Sequence, residues 1–391
     1  MIPILALLRE SWLTLRAERL FKVVLALNIL VVFAYASLGF DKTGFFIFYG
    51  AWHYENEFIY SGSPLATTLY LSIYSAFIVN IWLGWIAAIL ALISTSSIFP
   101  TFLSQGAVEL VLSRPPRRST VFLTKYAGGL LWVGLQVCVF TIGAFLASGW
   151  RIGLWDPAIF LAIPLITLFY SFLFCINVLV GVITRSTLVA LLATMVFWSA
   201  TFAIRQADDL IASRQFANQF QIAQIETRIG ELLQTRAKIE FDGSSRALDD
   251  IDDQLARQHD RIDDALETSE LLDPWAVWIS RVRAIVPETA RTIGLLQRSL
   301  ERHTDISFTD LMTGKAFEED DEQAIAEEMA YGEDDEDTRR WQERAQRRRA
   351  SMEATMEREQ AVPAWWIITK SLIFECVVLC GAILIFRRRD F

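Results

Sequence analysis

The chain is 391 residues long, 53% of them hydrophobic, with a mean hydropathy of +0.34 and a net charge of −9. That apolar content is above what an ordinary soluble domain carries and argues against one. Three scattered histidines (His53, His259, His303) and four cysteines (Cys138, Cys175, Cys376, Cys380) offer no zinc-ligand spacing. The cysteines all fall inside apolar stretches, where they read as small packing residues rather than a disulfide framework.

Residues 1–20 carry Arg9, Arg16 and Arg19 after the first apolar residues, the reverse of a signal peptide's order. They read as an amphipathic helix lying at a membrane surface. A bilayer core of about 30 Å needs roughly 20 apolar residues in a helix. Six stretches meet that length: about 21–40, 67–99, 121–148, 157–183, 187–204 and 364–386. The fifth is the shortest. Between the first two, residues 41–65 gather Phe45, Phe46, Phe48, Tyr49, Trp52, Tyr54, Phe58 and Tyr60, rings that suit the membrane interface. This crowd reads as a packing collar before a substrate gate.

The expected fold is therefore an all-α membrane protein. It has six transmembrane helices, an N-terminal amphipathic surface helix and a large, mostly helical extracytoplasmic insertion between helices five and six. Helices one to five occupy 21–204, with a cytoplasmic loop at 100–120. The insertion is 205–362, and the sixth helix with a basic tail is 363–391. Charge divides along the same line: residues 205–362 hold 21 Lys and Arg against 36 Asp and Glu, the remainder 15 against 9. With the N-terminus inside, twelve basic residues near span ends face the cytoplasm, against only Lys42 and Arg151 outside. Positive residues resist translocation, so both termini are expected in the cytoplasm and the insertion outside.

Within the insertion, Ile222, Ile225, Ile229 and Leu232 fall at spacings of 3, 4 and 3, and Leu248, Ile251, Leu255, Ile262 and Leu266 follow a turn at 241–245. This predicts an antiparallel helical hairpin over about 210–270 with facing apolar seams. A spacer or a docking place for an extracytoplasmic partner suits it better than substrate contact. Residues 273–300 read as an interfacial helix with Trp275, Trp278, Val282 and Ile285 on one face and Arg281 and Arg283 toward water or headgroups. Residues 316–340 are acidic and poor in large apolar groups, which predicts a mobile stretch.

The stretch "GAVELVLSRPPRRSTVFLTKYAGG", from Gly106 to Gly129, joins the second and third spans. Val108, Leu110, Val111 and Leu112 give a short apolar surface, and Pro115 and Pro116 stop any helix there. Arg117 and Arg118 suit anionic headgroups, and Lys125 can snorkel as the next span begins. On charge alone this is a positive-inside loop.

The run Glu-Leu-Val-Leu-Ser-Arg-Pro-Pro-Arg-Arg-Ser followed by Lys-Tyr-Ala-Gly-Gly resembles the cytoplasmic loop of type-two ABC exporter permeases. The closing Phe-Arg-Arg-Arg-Asp-Phe and the segment Val286-Pro287-Glu288-Thr289 are similar to further family features. The resemblance covers about 1–204, 275–300 and 363–391. The hairpin departs from the compact outer loop usual in the family. The resemblance implies that the loop is a coupling helix seated on a separate ATPase subunit, with Gly106, Glu109, Leu110, Ser113, Arg114, Pro115 and Arg117 docking to it. It also implies two ATPase copies, a second permease copy making a homodimer, membrane lipids around both, and residence in a bacterial cytoplasmic membrane. No nucleic acid is expected. The chain has no phosphate-binding loop, since "TGKAF" at 313–317 lacks both the upstream glycine and the hydroxyl after Lys315. ATP would be hydrolysed by the partner, and no cofactor is expected on this chain.

Polar residues inside the spans are costly and mark interhelical contacts or function. They are Asn28, Asn80, Gln136, Asn177, Lys370 and Glu375. Lys370 lies near the outer end of the last span and Glu375 deeper, at a spacing poor for a same-face pair. Glu375 is the residue to test for translocation or dimer contact. Two readings follow: the permease subunit of an ATP-driven exporter, or a membrane scaffold or sensor whose outer hairpin binds a partner.

Overall fold

The computed structural model describes residues 19–55, 59–104, 118–242, 245–301, 358 and 361–388. The chain divides into two compact units. One comprises Met1–Ala200, Pro287–Ala316 and Val362–Phe391; the other comprises Thr201–Val286 and Phe317–Ala361. The protein is mostly helical, and among the described residues six helices are long and apolar enough to cross a membrane.

In the first unit, α1 (Arg19–Ala36) is followed by three short strands, β1 (Gly39–Asp41), β2 (Gly44–Ile47) and β3 (Trp52–Glu55). They pair as an antiparallel meander, with Phe40 opposite Phe45 and Phe45 opposite Tyr54. The all-α expectation is corrected here: Trp52 and Tyr54 alternate with His53 and Glu55 at the period of a strand, and the tight turn at Lys42-Thr43 lets β1 and β2 pair. Arg151 fastens the meander from the end of a later helix. Its Nε donates to the Ala36 carbonyl at 2.6 Å, and its guanidinium lies over the rings of Phe46 and Tyr49.

Helix α2 (Leu65–Leu103) starts where the Ser63 hydroxyl accepts the Ala66 N–H at 3.1 Å, with Pro64 in the first turn. Its middle, Ile73–Ala87, is wound as a π-helix. Helices α3 (Arg118–Ile152), α4 (Ala162–Thr184), α7 (Thr289–Glu301) and α8 (Ala364–Arg388) complete the unit, with the first turns of α5 (Thr187–Asp242). Helix α4 is its centre: 61% of its apolar window is buried, against 22% for α1, α5 and α8. The outward faces expose Leu131, Leu188, Val196 and Val377, apolar surface that bilayer lipid would cover. Close approach is set by small residues. A Cβ on Gly129 would stand 2.7 Å from the Phe174 ring, and one on Gly143 would stand 2.8 Å from Val32.

In the second unit, the rest of α5 and α6 (Ser245–Ile285) run antiparallel. Ile225 and Leu232 are buried on α5, and Ile251, Leu255, Ala265 and Ile279 on α6. Leu232, Ile251 and Leu255 form one apolar cluster with Ile229 and Ile239. Leu266, read from sequence as a seam residue, is 46% exposed, and Ala265 takes its place. The seam advances by 3 and 4 residues, so from Leu255 it reaches 258, 262 and 265, one short of Leu266. The small Ala265 also lets Asn218 Nδ2 donate to its carbonyl at 2.6 Å.

The stretch 273–300 is not one interfacial helix. It breaks at 286–288, where Pro287 cannot continue the α6 hydrogen bonding. Its first part ends α6, with Trp275, Trp278 and Ile285 exposed; Arg283 faces Asp208 of α5 in an ion pair rather than water. Its second part, α7, belongs to the first unit, where Thr292, Leu296 and Leu300 are buried against the membrane helices. The predicted insertion therefore contributes to both units.

Candidate functional site

Helix α8 brings two polar groups into the first unit, five residues apart and on different faces. Lys370 Nζ donates to Glu288 Oε1 at 2.8 Å, with side-chain exposures of 16% and 11%. Arg291, one turn into α7, stands 3.9 Å from the same carboxylate oxygen. The backbone N–H of Glu288 donates to Ser371 Oγ at 3.0 Å, and Arg298 Nη1 donates to the Val362 carbonyl at 3.0 Å. Helix α7 is thus tied at both ends to the start of α8. A carboxylate just before a helix N-terminus also faces the positive end of its dipole.

One and a half turns deeper, Glu375 is buried between α8, α3 and α4. Tyr126 Oη donates to its Oε1 at 2.6 Å and Ser171 Oγ to its Oε2 at 2.8 Å. Tyr126 stacks on Phe174 with ring centroids 5.2 Å apart. Gly129 permits that stack, because any side chain there would meet the Phe174 ring.

A third polar contact joins α1 to α2: Trp82 Nε1 donates to Asn28 Oδ1 at 2.8 Å. Asn28 and Gln136 also line a small cavity with Leu83, Ala87, Phe169 and Tyr170. The amide nitrogens of Gln136 and Asn177 are buried and make no hydrogen bond among the described residues. Asn80, on the π-helical stretch, is exposed.

The structure brings two of the sequence candidates, Lys370 and Glu375, onto one helix with separate partners. Asn28, Asn177 and Asn80 are dispersed. Gly106, Glu109, Leu110, Ser113, Arg114, Pro115 and Arg117 lie outside the described residues, as do most of the N-terminal amphipathic helix and the acidic stretch 316–340. Sequence reasoning missed Tyr126, Ser171, Ser371, Trp82 and the role of Glu288. Tyr126 and Glu288 sat inside quoted motifs. Their partners are 249 and 82 residues away, a distance periodicity does not span.

The four cysteines are free, and among the described residues no three His, Cys, Asp or Glu side chains gather as metal ligands. Comparison with protein-family models, with curated proteins and with solved structures returned no match.

Proposed function

We propose that this chain is the membrane-spanning permease subunit of an ATP-driven exporter, coupled to a separate ATPase subunit through the segment between α2 and α3. The observation that carries the reading is the pair of long apolar helices α2 and α3 joined by the cationic, proline-stopped run 105–117. Its resemblance to the coupling loop of type-two exporter permeases is what suggests that this run passes a push from the ATPase to both helices it joins. Glu109 and Arg114 give it charged contacts, and Leu110 an apolar one. The chain crosses the bacterial cytoplasmic membrane six times with both termini inside, and two copies pair with two ATPase subunits.

The test is Arg114→Glu in the assembled complex in lipid vesicles. It removes substrate-stimulated ATP hydrolysis while leaving the permease folded and embedded. Unchanged stimulation in this variant would refute the docking role.

A second reading keeps the ATPase but makes its output mechanical. It is favoured by the seam of α5 and α6, which continues along both helices and ends in the apolar cluster of Leu232, Ile251 and Leu255. Deleting 213–270 separates the two. A transporter retains ATPase coupling, whereas a scaffold or sensor loses its outside partner and its activity with it.

A further inference from the structure

Helix α6 carries two apolar seams near its C-terminal end. The first, with Ala265 and Ile279, is buried on α5. The second runs through Leu271, Trp275, Trp278, Val282 and Ile285 at spacings of 4, 3, 4 and 3, on a different face. Leu271, Trp275, Trp278 and Ile285 are each more than half exposed. Continued toward the hairpin turn, the same spacing meets Thr268, Asp264, Arg261 and Arg257, all exposed. One face of one helix is therefore apolar over about its last four turns and polar before them.

The apolar part of that face is the part level with α5's exit from the bilayer. About 20 residues of helix cross a core of about 30 Å, so α5, which begins at Thr187, leaves the core near Ala207, and headgroups add about another turn. Two contacts fix the register of α6 on α5. Gln215 Nε2 donates to Asp273 Oδ1 at 3.1 Å, and Arg236 Nε donates to Asp252 Oδ1 at 2.7 Å. Each step along α6 from Asp273 toward its C-terminus is a step back along α5. Trp275 therefore stands level with Ser213, Trp278 with Leu210 and Val282 with Gln206. That puts Trp278 in the headgroup layer and Trp275 at its outer edge, where an apolar ring with one N–H donor is favoured. Leu210 is itself more than half exposed, and Arg281 is exposed beside the stripe, suited to lipid phosphates. Charges at the same level are paired, Arg283 with Asp208 and Arg205 with Asp209, as charges at a membrane edge generally are.

A seam for a second helix has no reason to end at this level, whereas a face seated in lipid ends where water begins. We infer that the last four turns of α6 are seated in the headgroup layer of the bilayer that α5 crosses, with Trp275 and Trp278 anchoring the base of the hairpin there. The inference rests on α5 crossing the bilayer and not on export, and its test uses no transport.

The measurement is spin-label collision in the full chain in phosphatidylcholine vesicles, with Cys138, Cys175, Cys376 and Cys380 replaced by alanine. One chain carries the label at Trp278→Cys, and a second carries it at Asp264→Cys on the same face. The expected result at 278 is collision with lipid-dissolved oxygen several-fold above that with a water-soluble nickel complex, and the reverse at 264. Collision led by the nickel complex at 278 would overturn the assignment, because the stripe then stands in water. Low collision with both reagents there would overturn it too, because protein, such as a second copy of the chain, then covers the stripe. The chain with its native cysteines gives an independent readout. Lipid brominated on its acyl chains quenches a smaller fraction of the tryptophan emission once Trp275→Phe and Trp278→Phe are combined; an unchanged or larger fraction contradicts the seating.

Discussion

Two ion pairs of similar chemistry sit in different surroundings. Lys370 and Glu288 meet at 2.8 Å with 16% and 11% of their side chains exposed; Arg236 and Asp252 meet at 2.7 Å with 38% and 51% exposed. Water and salt screen the second pair, so holding two long side chains in register gains little. The first pair is shielded, and its members have lost most of their water. Distance alone ranks the two as equals, and burial separates them. Burial, more than the unit a pair belongs to, decides this: in the second unit Arg283 and Asp208 also meet with only 15% and 7% of their side chains exposed.

The largest expected effect breaks the buried pair. Lys370→Ala removes the cation that meets Glu288 at 2.8 Å and lowers stability by about 3 kcal/mol, read as thermal unfolding in detergent. Exchanging the two residues, Lys370→Glu with Glu288→Lys, recovers only part, because Arg291 then faces a lysine. Equal unfolding temperatures for wild type and Lys370→Ala would put this pair in the class of Arg236 and Asp252. Next comes the hairpin seam. Leu232→Ala costs about 2–3 kcal/mol by leaving a cavity among Ile251, Leu255 and Ile229. Leu266→Ala, on the exposed flank, changes stability by less than about 0.5 kcal/mol. Denaturant unfolding of the pair of variants locates the seam directly.

Overpacking at Gly129 ranks third. Gly129→Ala drives the Phe174 ring from Tyr126 and costs about 1–2 kcal/mol, with altered near-ultraviolet circular dichroism from the displaced stack. The smallest effect belongs to the exposed pair. The Arg236 hydrogen bond holds the Asp252 carboxyl below its ordinary range. A group shifted that way stabilises the fold above the ordinary carboxylate range and loses the contribution as pH falls through the lowered value. Arg236→Ala therefore leaves the unfolding temperature nearly unchanged at neutral pH, and flattens a small acid-side slope that 1 M salt also flattens.

Local signals were legible in the sequence. Length and apolar content located the membrane-competent helices to within a few residues at most ends, because a helix that meets lipid along one side must be apolar over its whole span. The hairpin seam was legible from spacings of 3 and 4 up to Leu255, and went astray at Leu266 because the eye follows the larger side chain while the seam follows the repeat. The turn at 241–245 was legible as the end of α5, but not that the fifth span and the first arm of the hairpin are one helix, Thr187–Asp242, with no proline between them to break it. The partners of Glu375 and Lys370 were hidden for another reason. They come from α3, α4 and the residue just before α7, and only tertiary packing decides which faces meet.

The most direct test of the exporter reading is purification of the full chain in mild detergent, with mass spectrometry of what accompanies it, beside Arg114→Glu. The account predicts a stoichiometric subunit bearing a phosphate-binding loop with the wild type, and its loss in the variant. Wild-type protein that is folded and embedded yet carries no such subunit would contradict it, and the run 105–117 would then be a membrane-facing turn.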